Sequence, residues 1–112
     1  MTVSDQYSTY RSPHPGMLRA VLNEVLHGFA LENPEVTIGM KDSELGQLLT
    51  DLKELDNNDT IELSLDQTKA FRNALRETLR ELGEEEFHTR TGFTFEEGED
   101  VIEDLDDFIC GR

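Results

Sequence analysis

Residues 85–97, EEFHTRTGFTFEE, decide how this chain is read. Either His88-x-Arg90-x-Gly92 is a chemical site set between acidic runs, or the stretch is a strand leading into a helix. Phe87, Thr89, Thr91 and Phe93 alternate with a period of two, which predicts a half-buried strand over residues 87–93. Thr94-x-x-Glu97 then has the spacing of a capping box, which predicts a helix start near Thr94.

Sliding the chain against itself by 53 positions gives the stretch a counterpart. Residues 18–55 align without a gap on residues 71–108, and nine of the 38 pairs are identical, among them Arg19/Arg72, Glu24/Glu77, Gly39/Gly92 and Glu44/Glu97. Typical residue frequencies give about three by chance. The apolar pairs Leu48/Val101, Leu49/Ile102 and Met40/Phe93 keep core-type side chains in step. An internal duplication follows, with repeat one at residues 18–55 and repeat two at residues 71–108.

Each copy reads as helix, strand, helix. Apolar residues at 18, 21, 22, 25, 26 and 29, and at 71, 74, 75, 79 and 82, follow the helical period. Ser12 before Pro13 suits a helix cap and first position, and Ser64-x-x-Gln67 has capping-box spacing. Strands are expected at residues 35–40 and 87–93, and second helices from about Asp42 and Thr94. Asp56-Asn57-Asn58-Asp59 is turn-forming, and residues 60–64 alternate as a further strand. Residues 7–11 hold only Tyr10 in a matching place, and residues 1–6 are expected to be disordered. The expected fold is α+β: one domain of two tandem helix-strand-helix repeats around a small sheet.

Composition bounds the function. The 112 residues suffice for one core, and the formal charge of -15 opposes binding to nucleic acid or anionic lipid. No apolar run approaches a membrane span, and residues 1–11 lack the regions of a signal peptide. With a single cysteine, Cys110, a cytoplasmic protein is expected. Residues 84–112 alone carry -9, so the C-terminal segment is the acidic pole.

Catalytic and cofactor motifs are few. His14, His27, His88 and Cys110 lack metal-ligand spacing, and neither a GxSxG elbow nor a phosphate-cradling glycine loop occurs. No metal, cofactor or nucleotide is predicted. Lys69, Arg72, Arg76 and Arg80 share one helical face and are expected to pair with the acidic helix or with Glu77 and Glu81. Gly39 and Gly92 recur and imply a backbone requirement, whereas His88 and Arg90 face Glu35 and Thr37 in copy one and do not recur.

LNEVLHGF at 22–29, and ALRETLREL at 74–82 followed by EFHTRTGFTFEE at 86–97, resemble small, largely uncharacterised bacterial proteins with an ALNEVL-G and EF-TR-G pattern. Small acidic proteins of that sort include immunity proteins, which neutralise toxins. The resemblance implies a class and no target. The expected function is therefore a non-enzymatic, acidic protein-binding or inhibitory module, possible partners being basic proteins. The residues expected to make the contact are Glu96, Glu99, Asp100, Glu103, Asp104 and Asp107, with His88 and Arg90 as secondary candidates. Two alternatives stand beside it: a self-associating structural protein, for instance a homodimer paired through strand edges, and an enzyme using Glu86, His88 and Arg90.

Overall fold

The computed structural model of the chain describes residues 9–12, 15–28, 34–54 and 61–110. The expectations for residues 1–6, for Pro13 and for the turn at residues 56–59 lie outside them. The described elements are β1 (Thr9–Ser12), α1 (Pro15–Asn23) continuing into a π-helical turn (Glu24–Gly28), α2 (Pro34–Thr37), α3 (Asp42–Lys53), β2 (Ile61–Ser64), α4 (Leu65–Thr91) and α5 (Phe95–Cys110).

The domain is mainly helical, which corrects the α+β expectation. Among the described residues the strands form only a two-stranded antiparallel ribbon in which Tyr10 pairs with Leu63 and Arg11 with Glu62. The strands expected at residues 35–40 and 87–93 are absent. Pro34–Thr37 is a helical turn and residues 87–91 end α4. A half-buried strand needs alternate residues inside, but Val36 is 83% exposed and Thr89 is exposed, so only Ile38 and Phe87 of the two patterns are fully buried, with Met40 and Phe93 half-buried against the core. With one fully buried anchor each, the segments gain more from helical hydrogen bonds and turns than from a ladder.

Residues 84–91 carry a helix signature in their charges. Gly83 has φ 75° and ψ 179° and breaks α4. Glu84, Glu85 and Glu86 then open a new first turn, His88 and Arg90 occupy the last turn, and Gly92 at φ 83° ends it in the left-handed region. Acids at the start, bases at the end and a left-handed glycine cap each favour the macrodipole or the free carbonyls. Thr91 Oγ1 closes the face by donating to Phe87 O at 2.7 Å.

The caps hold as local chemistry predicts. Ser64 Oγ accepts from Gln67 N at 3.1 Å while Gln67 Oε1 accepts from Ser64 N at 3.0 Å. Thr94 and Glu97 repeat the exchange at 3.0 and 2.7 Å, and Glu44, matching Glu97, accepts from Lys41 N at 3.1 Å. Gly39 and Gly92 both have positive φ, the backbone requirement their recurrence implied. Ser12 is a correction: it closes β1, and Pro15 opens α1 with its fixed φ.

Several pairs of residues 53 apart hold equivalent places. Asp42 and Phe95 open α3 and α5. Leu18/Phe71, Val21/Ala74, Leu22/Leu75, Leu48/Val101 and Leu52/Leu105 are all buried. The core lies where α1, α3, α4 and α5 meet, and its buried hydroxyls are satisfied: Thr68 donates to Ser64 O and Thr78 to Ala74 O.

Candidate functional site: the outer face of α5 and the Glu24–Arg90 pair

α5 turns Gly98, Val101 and Leu105 inward, with Phe95, Ile102 and Phe108 half-buried at the margins. At 100° per residue this leaves Glu96, Glu99, Asp100, Glu103, Asp104 and Asp107 outward, and all six are exposed. They are not equivalent. Glu99 and Glu103 line a groove of about 500 Å³ against Arg76 and Arg80 of α4, floored by Leu79 and Ile102. Asp100 and Asp104 line a groove of about 310 Å³ on the other flank, floored by Met17, Phe93 and Val101.

The basic stripe on α4 is used inside the molecule. Arg72 Nη1 donates to Asp106 Oδ1 at 2.7 Å, and Arg76 Nη2 lies 3.6 Å from Asp106 Oδ2. Arg80 Nη2 donates to both oxygens of Glu77 at 2.6 and 2.8 Å. Sequence reasoning missed Asp106 as the hinge of this pairing. Its signal was its place on the flank nearest α4, one turn from Ile102.

The structure separates the His-x-Arg pair. His88 is exposed in a groove with Glu84, Glu85 and Glu96, so it joins the acidic surface. Arg90 points the other way. Its Nη1 donates to Glu24 Oε1 at 3.2 Å and its Nε lies 3.5 Å from Glu86 Oε2. The hydrogen bond to Glu24, then the charges of Glu24 and Glu86, hold the guanidinium above its ordinary pKa. Glu86 and Arg90 share a face one helical turn apart, and His88 between them does not. The arrangement ties the end of α4 to the π-helical turn after α1 and leaves His88 outside the cluster of Arg90, Glu24 and Glu86.

Glu24 opens the π-helical turn that ends at Gly28. Its residue is only 7% exposed, and its carboxylate folds over Gly28, where a Cβ would overlap Oε1 and Cδ. Arg90 keeps that carboxylate from swinging aside. Gly→Ala inside a helix ordinarily gains about 1 kcal/mol. Here Gly28→Ala is expected to lose about 1–2 kcal/mol, because the carboxylate must leave its pocket. Urea unfolding checks this, and in a Glu24→Ala background the same change should become neutral or stabilising.

Among the described residues no group of three or more His, Cys, Asp or Glu is placed to hold a metal ion, and no helix is long and apolar enough to cross a membrane. The elements define a small, mainly helical domain with one strongly acidic helix face. No protein-family model, curated protein or solved structure matches the chain.

Proposed function

We propose that the protein is a non-enzymatic binding or inhibitory module, of the immunity-protein type, whose α5 outer face meets a basic protein partner. The observation that carries this reading is where the acids sit. Glu96 and Glu97 in the first turn of α5 favour the helix dipole, but the last turn has no base, and Asp107 stands there exposed. Acids at a helix C-terminus oppose the dipole by roughly 0.3–1 kcal/mol each. A face serving only solubility gains nothing from placing them there, whereas a docking face gains encounter rate and selectivity.

The test couples stability to binding. Asp107→Lys is expected to stabilise the domain by about 0.3–1 kcal/mol, read by thermal unfolding, and to weaken capture of the partner. Neutralising Glu99, Asp100, Glu103 and Asp104 together should abolish specific capture from lysate at low salt. Capture unchanged by that fourfold replacement would sink the proposal.

A further inference from the structure

One groove in copy two carries fixed charge where its counterpart in copy one carries none. The groove of about 500 Å³ between α4 and α5 has Arg76 and Arg80 on one wall and Glu99 and Glu103 on the other. The positions 53 residues earlier are Asn23, His27, Gly46 and Thr50. The floor recurs instead. Leu79 and Ile102 stand where copy one has Leu26 and Leu49, and the half-buried Phe95 extends the floor where copy one has Asp42. A repeat therefore requires the floor and not the charged walls.

The four charges do not close on one another. Arg80 turns back along α4 and donates to both oxygens of Glu77 at 2.6 and 2.8 Å, and Arg76 lies 3.6 Å from Asp106. Among the described residues Glu99 and Glu103 have no ion pair or hydrogen bond, and both are exposed. Both walls and the link between them lie within the described residues 61–110. Solubility does not account for the pattern, because two cations and two acids cancel in the net charge.

We infer that this groove receives one amphipathic helix of the basic partner, its apolar stripe on Leu79, Phe95 and Ile102. A Lys or Arg row of that helix lies beside Glu99 and Glu103, and an Asp or Glu row beside Arg76 and Arg80. This deepens the reading of α5 as a docking face and rests on it. Helices that dock in grooves do so through anchors spaced i, i+3, i+4 and i+7. Residues 95–106 run about 16 Å along the groove, longer than the roughly 10 Å between the first and last of such anchors. A segment basic on every side fits less well, since the charges that attract it to Glu99 and Glu103 also meet Arg76 and Arg80. Walls of opposite sign thus select against partners that α5 alone would accept.

Three synthetic helical peptides, each roughly four turns long with the same leucine stripe, provide the test. The mixed peptide carries Lys on one flank and Glu on the other, and two controls carry Lys on both flanks or Glu on both. Reversing a helix in the groove exchanges its flanks, so the mixed peptide needs no fixed direction. Titrated into the full chain at physiological salt, it should give saturable amide shifts at residues 76–80 and 95–106. It should bind about fivefold more tightly than the both-Lys peptide, because contacts with the arginine wall turn from attractive to repulsive, and more tightly still than the both-Glu peptide. Arg80→Glu, with an unchanged circular dichroism spectrum, should erase the lead over the both-Lys peptide. Glu103→Lys should narrow the lead over the both-Glu peptide by about threefold or more. Asp100→Lys, the same charge change on the other flank of α5, should leave both ratios within about twofold. The inference is overturned if no saturable shift appears, if the both-Lys peptide matches the mixed one on the parent chain, or if Arg80→Glu leaves their ratio unchanged. Shifts at these residues that grow with protein concentration in the absence of peptide would place a second copy in the groove and overturn it as well. Lysate capture lost on neutralising the four acids, without the peptide ranking, removes the helix from the groove and keeps the face. Capture that survives neutralisation removes both.

Discussion

Phe87→Ala is expected to destabilise the domain by about 3–5 kcal/mol, which is a large part of the stability of a chain this size. Phe87 is fully buried, and its ring meets Phe95 edge-on at a centroid distance of 6.4 Å. It also lies on Gly98, where a Cβ would come within 3.2 Å of the ring and 3.0 Å of Leu79 Cδ2. The matching residues in copy one are Pro34 and Leu45, and Leu45 is itself fully buried. One copy fills this layer from α3 and the other from the end of α4. Gly98→Leu alone should therefore overpack and cost about 1–3 kcal/mol. Combined with Phe87→Ala it should recover at least about 1 kcal/mol relative to the sum of the two single changes. Urea titrations of the four proteins measure the coupling, and simple additivity would show that ring and glycine do not share a space.

Gly83→Ala is expected to destabilise by about 1–3 kcal/mol, because φ 75° with ψ 179° is a backbone region that essentially only glycine enters. Alanine favours running the two parts of α4 together as one rod. That would swing residues 84–91 away from α5, taking Phe87 off Gly98 and Arg90 off Glu24. For a domain near this size each kcal/mol lowers Tm by roughly 4–8 °C, so a calorimetric scan reads the effect directly. An unaltered Tm would mean that the break at Gly83 is not required by the packing around it.

What the sequence made legible was the chemistry that closes over three or four residues. Ser64/Gln67 and Thr94/Glu97 cap as their spacing predicts, and the recurrence of Gly39 and Gly92 marks two positive-φ positions. The outward acids of α5 were legible for the same reason, since helical spacing alone sorts them from Val101 and Leu105. The strand expected at residues 35–40 fails because Val36 stays exposed, and the one at residues 87–93 because alternation there competes with the order of the charges. Gly83, three glutamates, then His88, Arg90 and Gly92 spell a short helix from cap to cap, and that order outweighs four alternating side chains. The partner of Arg90 lay beyond local reasoning: Glu24 is 66 residues away, and only its identity with Glu77 set it apart.

In the ribbon Tyr10 pairs with Leu63, 53 residues on, so this one position meets its own counterpart, and Thr9–Ser64 and Arg11–Glu62 flank it symmetrically. That is how two separate copies of one shorter chain pair across a twofold axis. Carried on one chain, the two units face each other at the effective concentration set by a short tether, and their assembly no longer depends on how much protein is present. A single chain is also released from symmetry. A homodimer must keep the same residue on both sides of its axis, but this chain carries Lys53 at one position and Asp106 at the position 53 residues on, and so has two different surfaces where a homodimer has one surface twice.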